Sequence, residues 1–82
     1  MSEELSSIED IHAILAANVE KYRKKIGLSQ EKLSAECGLH KSYVGRLVRT
    51  CGNCELSTMK LLADRLGVTV VNLLTPTPRR KR

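Results

Sequence analysis

Residues 29–49 read SQEKLSAECGLHKSYVGRLVR. Ser29 can cap a helix and Gly38 can end it, so the first half of this stretch predicts a short helix over residues 30–37. The second half carries apolar residues at helical spacing and predicts another helix over residues 41–49. Only a three-residue turn that includes Gly38 joins the two helices, and such a turn is typical of a helix-turn-helix motif.

The rest of the chain predicts three more helices and no strand. A capping box at Ser6 begins the first helix, and Gly27 ends it. A fourth helix covers about residues 57–66, and Thr69 caps a short fifth helix over residues 70–74. The predicted fold is therefore all-α, with five helices.

The length of 82 residues allows one small domain. Hydrophobic residues make up 41% of the chain and include neither Trp nor Phe, so the core is expected to be aliphatic. We expect the domain to span residues 6–74, after a flexible N-terminal segment of residues 1–5. Residues 75–82 contain both prolines and end in Arg-Arg-Lys-Arg, which predicts a disordered basic tail.

The distribution of charge favours a polyanionic partner. The formal net charge is +5, and residues 37–54 contain Lys41, Arg46 and Arg49 but no acidic residue. Such local asymmetry is typical of nucleic-acid binding. Charge alone leaves open the simpler alternative of a solvated basic surface.

Several classes of protein are not expected from this sequence. It contains no stretch of about 20 apolar residues, so we expect no membrane-spanning helix. The acidic N-terminus lacks the apolar region of a signal peptide, so we expect a cytoplasmic location. No Ser/His/Asp set, pair of acids or phosphate-binding glycine loop is present, so we expect neither an enzyme nor a cofactor.

The cysteines imitate the spacing of zinc ligands. Cys37 and His40 are separated by two residues, and so are Cys51 and Cys54. The predicted helix over residues 41–49 would hold the two pairs about 13 Å apart, whereas zinc binds its ligands within about 2.0–2.3 Å. We therefore expect no metal site. The Cys51–Cys54 loop could still form a local disulfide or sense oxidants, against the simpler alternative of two ordinary thiols.

Five segments share their order and spacing with a known family: GLSQEKL (27–33), CGL (37–39), SYV (42–44), LSTM (56–59) and LADRLGVT (62–69). Through them, residues 19–74 resemble the lambda-repressor-like helix-turn-helix domain of the Cro/C1/XRE type. That domain occurs in phage repressors, Cro-type proteins, antitoxins and restriction–modification controller proteins. The resemblance implies a five-helix DNA-binding domain that usually acts as a symmetric dimer on a palindromic operator.

The resemblance also implies roles for individual residues. The recognition helix, about residues 41–49, would read bases in the major groove, where Lys and Arg can donate to guanine. The base-contacting positions of the family fall on Lys41, Ser42, Gly45 and Arg46. The phosphate-contacting positions fall on Arg23, Gln30, His40, Tyr43, Arg49 and Asn53.

At Arg23, Gly45 and His40 the sequence either departs from the pattern of the family or leaves two roles open. Many relatives place Glu where this chain has Val48, paired with an Arg at the place of Arg23. Arg23 would then lack its partner, and we expect it to turn outward. Gly45 either brings the helix close to the bases or is a tolerated surface glycine. His40 either contacts phosphate or serves as an exposed polar cap.

We expect a dimer interface in the region of the last two helices, with Val70, Val71 and Leu74 as candidates. The N-terminal part of the first helix could contribute, unless Ile11 and Leu15 pack inside. The function that this sequence predicts is a sequence-specific transcriptional regulator, such as a repressor, that binds double-stranded DNA as a homodimer. Two alternatives are an antitoxin and a redox- or metal-responsive regulator, and a protein partner such as a toxin or polymerase stays open.

Overall fold

A computed structural model describes residues 8–76, and across this range the chain forms five α-helices and no strand. The helices are α1 (Ile8–Lys25), α2 (Gln30–Glu36), α3 (Tyr43–Thr50), α4 (Leu56–Leu66) and α5 (Val70–Leu74). The prediction of an all-α, five-helix fold is confirmed. The expected capping box at Ser6, the segment 1–5 and most of the basic tail, residues 77–82, lie outside the described residues. No helix within the described range is long and apolar enough to cross a membrane.

The core is aliphatic, as composition predicted. α1, α3 and α4 contribute residues three or four positions apart, because those positions share one helical face, and α2 and α5 contribute one residue each. Each such buried side chain contributes about 1.5–3 kcal/mol relative to an exposed one. The buried cluster consists of Leu15, Val19, Leu33, Val44, Leu47, Leu62, Ala63, Leu66 and Leu73.

Apolar residues at helical spacing from position 8 to position 26 predict a buried stripe along all of α1, but the stripe in the structure is shorter. Leu15 and Val19 are buried, but Ile11 is 41% exposed and Ile26 is 44% exposed. The reason is length: α1 has 18 residues and the other helices have at most 11, so the shorter helices cover only its middle. Ile26 also lies beyond the helix, which ends at Lys25.

A buried polar residue that sequence reasoning missed joins α1 to α5. The side-chain nitrogen of Asn18 donates to the carbonyl oxygens of Leu73 and Thr75, each at 2.8 Å. These carbonyls belong to the end of a helix, where no intrahelical partner remains. Asn18 is 2% exposed, so it fixes the C-terminal end of α5 against α1.

Ser34 sets the geometry of the helix-turn-helix. Its hydroxyl donates to the carbonyl oxygen of Gln30 at 2.9 Å and accepts from the backbone N–H of Val44 at 3.0 Å. Because this buried hydroxyl bonds both α2 and α3, it holds the recognition helix at a fixed angle to its neighbour.

The recognition helix begins later than the sequence predicted. We expected residues 41–49 with His40 as the cap, but α3 is Tyr43–Thr50 and Ser42 is its N-cap. The His40 ring explains the difference, because its Nδ1 accepts from the backbone N–H of Ser42 at 3.1 Å. This bond stabilises a turn at Lys41 and Ser42 in place of a first helical turn.

Candidate nucleic-acid interface

The predicted base-contacting residues lie together on one surface between α2 and α3. Positions 42, 45, 46 and 49 share the outer face of α3 because they are three and four residues apart. This surface is an open depression of about 260 Å³, which we call the recognition depression. It is lined by Gln30, Glu31, Lys41, Ser42, Gly45, Arg46 and Arg49.

Three cations and two polar side chains thus meet with one acidic residue, Glu31, which sequence reasoning did not single out. Lys41, Arg46 and Arg49 are exposed, so their charges are free to meet a polyanion. The hydroxyl of Ser42 lies 2.8 Å from the Nδ1 of His40 and accepts from the Nη2 of Arg46 at 3.3 Å. Ser42 therefore links the turn to the Arg46 guanidinium.

A second depression lies beside the first, on the other side of Arg46. Tyr43 and Asn53, two of the predicted phosphate-contacting residues, both line it. Burial, and then a hydrogen bond with Cys54, raise the pKa of the Tyr43 hydroxyl. The phenol therefore stays protonated beside Cys54, and its contact with phosphate stays a prediction.

Arg23 does not turn outward, and that expectation is wrong. Its Nε and Nη2 donate to the two carboxylate oxygens of Glu20 at 2.8 and 2.7 Å, and its Nη1 donates to the carbonyl oxygen of Leu28 at 2.6 Å. Glu20 lies one helical turn before Arg23 and provides the negative charge that a Glu at position 48 provides in many relatives. These bonds to Glu20 raise the pKa of Arg23. The contact of Arg23 with phosphate stays a prediction.

Gly45 has a neighbour that the sequence did not reveal. A Cβ at this position would lie 3.0 Å from the Oε1 of Gln30, so the first side chain of α2 lies across the backbone of α3. The Nε2 of Gln30 in turn donates to Glu20 at 3.2 Å. Gly45 therefore makes room for Gln30, a role that neither alternative from the sequence included.

The cysteines give no support to a metal or thiol site. Across residues 8–76, no three His, Cys, Asp or Glu side chains form a group that could hold a metal ion. Burial raises the pKa of the Cys37 and Cys54 thiols, which disfavours the reactive thiolate. Cys51 is half-buried and ends α3 in the left-handed conformation, at φ 50°.

The predicted dimer residues differ in how far they reach the surface. Val71 is 70% exposed, whereas Val70 and Leu74 are half-buried and pack against the core. Val70 and Val71 line a shallow depression of about 420 Å³ with Ala63 and Val68. α4 and α5 thus present a partly apolar surface away from the recognition depression, whose lining belongs to α2, α3 and the turn between them.

Comparison with known proteins finds a family match over most of the domain. The sequence model of the family described as Helix-turn-helix matches residues 19–73. Among curated proteins, the control protein C.SmaI of Serratia marcescens is 47% identical over 66 residues, which cover 80% of this chain and 79% of that protein.

Two solved structures show the same arrangement of helices. The hypothetical transcription factor NHTF from Neisseria has a TM-score of 0.79 at 39% identity, covering 88% of this chain and 83% of that one. The master regulator for biofilm formation SinR, solved in complex with DNA, has a TM-score of 0.69 at 27% identity. That match covers 74% of this chain and 98% of the SinR chain.

Proposed function

This chain belongs to the helix-turn-helix family and is a DNA-binding transcriptional regulator rather than an enzyme, and from that premise we propose that it binds a palindromic operator as a homodimer. The observation that carries the proposal is the recognition depression, where all four residues predicted to contact bases lie beside Gln30 and Arg49. We also propose a cytoplasmic location, because a regulator of this kind needs access to DNA.

Base readout falls to the exposed cations. Lys41 and Arg46 can donate to the O6 and N7 atoms of guanine, and a bidentate contact of this kind discriminates by about 1–3 kcal/mol. Ser42, which can donate or accept, specifies less. Gly45 has no side chain, so it leaves room for Gln30 beside these residues.

Backbone contacts fix the register on the duplex. We assign these contacts to Gln30, His40, Tyr43, Arg49 and Asn53. Arg23 is proposed to contact phosphate as well, and its partner Glu20 also bonds Gln30. Contacts of this type supply affinity without sequence information. The similarity to SinR, which was solved in complex with DNA, supports DNA binding by the shared fold.

A second copy of the chain completes the proposed complex. A two-fold dimer places two recognition helices about one helical turn of DNA apart, or about 34–36 Å. The apolar surface that includes Val70, Val71 and Leu74 is the proposed contact, and it leaves the recognition depression open. Neither an antitoxin role nor a redox role gains a specific observation, so neither is proposed.

Two matched arginine variants test the DNA face. Arg46→Ala should weaken binding to the preferred duplex by about 1–3 kcal/mol, or roughly 5- to 150-fold, and relax the preference at one base pair. Arg65→Ala is the control, because Arg65 also carries one positive charge but pairs with Glu36 and does not line the recognition depression. Equal effects of the two variants would contradict the proposal.

A further inference from the structure

Glu20 fixes which end of the Gln30 amide faces the recognition depression. The Nε2 of Gln30 lies 3.2 Å from the Oε2 of Glu20, and its Oε1 lies against Gly45. A carboxylate only accepts hydrogen bonds, so the amide nitrogen has to face Glu20. The amide oxygen is therefore left on the side of the recognition helix.

Glu20 is itself held firmly. Both of its carboxylate oxygens accept from Arg23, and Arg23 is further bonded to the carbonyl oxygen of Leu28, just before α2. The side chains of Glu20 and Arg23 are 19% and 14% exposed. A bidentate, partly buried pair of this kind keeps its geometry better than an exposed single contact.

We propose that Glu20 is a positioning residue for DNA recognition, which orients Gln30 so that an acceptor oxygen faces the bases while one amide N–H stays free for the DNA backbone. The ligand chemistry that this orientation favours is a base-edge amino group, the N6 of adenine or the N4 of cytosine. The inference rests on the proposed function, since it assigns a part of the same interface.

A double-mutant cycle separates positioning from general stability. The probe is the duplex that the wild-type chain enriches from a random pool, with dissociation constants measured by fluorescence anisotropy at about 150 mM salt. Glu20→Ala should weaken binding about tenfold in the wild-type background and less than about twofold in the Gln30→Ala background. The coupling arises because Glu20 has nothing left to orient once the amide is gone.

Glu36→Ala is the matched control. Glu36 also pairs with an arginine, Arg65, and its loss changes the net charge equally, but it lies outside the recognition depression. Its effect on binding should be below about twofold in both backgrounds. Comparison with Glu36→Ala corrects for the gain in DNA affinity that the loss of any acidic residue gives.

Glu20→Gln covers the case in which the alanine variant does not fold. Its amide can still accept from Arg23, but it can also donate, so the Gln30 amide is free to turn over. The enriched pool should then lose its preference at one base pair in each half-site.

Equal losses for the Glu20 variants in both backgrounds, with base preference unchanged, would overturn the positioning role alone. If the wild-type chain enriches no sequence, the proposed function fails, and this inference falls with it.

Discussion

The side chain of Gln30 lies across Gly45, with its Oε1 3.0 Å from the point where a Cβ would stand. The contact joins the first residue of α2 to the middle of α3. It therefore couples a residue expected to meet the DNA backbone with the helix expected to read bases.

Gly45→Ala should separate stability from DNA binding. Alanine favours a helix over glycine by about 1 kcal/mol, and the opposing contact is the flexible end of a side chain, so the free energy of unfolding should stay level or rise by up to about 1 kcal/mol. The added Cβ displaces Gln30, so affinity for the preferred duplex should fall about tenfold. Chemical denaturation and fluorescence anisotropy measure the two quantities.

The Gln30→Ala background is the control for this variant. Once the amide is absent, the added Cβ has nothing to displace, and Gly45→Ala should change affinity little. An affinity that is unchanged by Gly45→Ala in the wild-type background would contradict the role assigned to this contact.

Glu20 makes stability depend on acid pH. Hydrogen bonds from Arg23, and a weaker contribution from Gln30, hold the pKa of Glu20 below its ordinary value of 4.5. Because the folded-state pKa is lowered, the stabilisation is complete above the unfolded-state pKa and is lost as pH falls through the folded-state pKa.

Glu20→Gln tests this dependence. At pH 7 the variant should be less stable by about 1–2 kcal/mol, because it loses charged hydrogen bonds to a half-buried arginine. The difference should shrink as the pH is lowered from 7 to below 4.5, the ordinary pKa of the carboxyl, because the wild-type carboxylate then takes up its proton. Urea titrations across this pH range measure it, and a constant difference would rule out the assigned pKa shift.

Cys51 is a point of backbone strain that can be relieved. It is the one non-glycine residue with positive φ within residues 8–76, at φ 50° and ψ 45°. The left-handed conformation costs a side-chain-bearing residue roughly 1–2 kcal/mol, which glycine avoids. Glycine in turn lowers stability by about 0.5–1 kcal/mol, because its unfolded state is more flexible. Cys51→Gly should therefore raise the free energy of unfolding by about 0.5–1 kcal/mol.

Cys51→Ala is the matched control, since it removes the thiol but keeps the Cβ. Only the glycine variant should raise the thermal midpoint. A gain of equal size from alanine would assign the effect to the thiol and not to the backbone.

Val71 tests the proposed dimer. An Asp at this 70% exposed position would place a charge in the apolar interface from each of the two copies, because each contact of a two-fold interface occurs twice. Val71→Asp should raise the dimer dissociation constant at least about 100-fold, the equivalent of about 2.7 kcal/mol. Sedimentation equilibrium measures the constant.

Ile26→Asp is the control for the dimer variant, because Ile26 is 44% exposed and belongs to neither α4 nor α5. It should leave the dissociation constant unchanged. If Val71→Asp dimerises as the wild type does, the interface lies elsewhere.

The helices were predictable because their signals are local. Apolar periodicity and caps such as Ser29 and Thr69 lie within a few residues of the structure that they specify, and both caps form as predicted. The start of α3 was misplaced by two residues because the His40 side chain stabilises a turn there, and a side-chain bond of this kind has no periodic signature.

The candidate site was predictable only in part. The outward residues of α3 follow from spacing, but the contact between Gln30 and Gly45 joins two helices and needs the tertiary structure. Arg23 is a different case, because its bond to Glu20 spans three residues on one helix and such pairs can be read from sequence. The spacing of Glu20 and Arg23 therefore indicates a partner for Arg23 even though Val48 replaces the usual Glu.

The central claim is that this face of the chain reads a defined DNA sequence as a dimer. Selection from a random duplex pool at about 150 mM salt tests it most directly. We predict enrichment of an inverted repeat whose half-sites are centred about 34–36 Å apart, or one helical turn. A pool that stays unenriched, while bulk binding fades steeply as salt rises, would show that only the basic charge of the chain binds DNA and would contradict the claim.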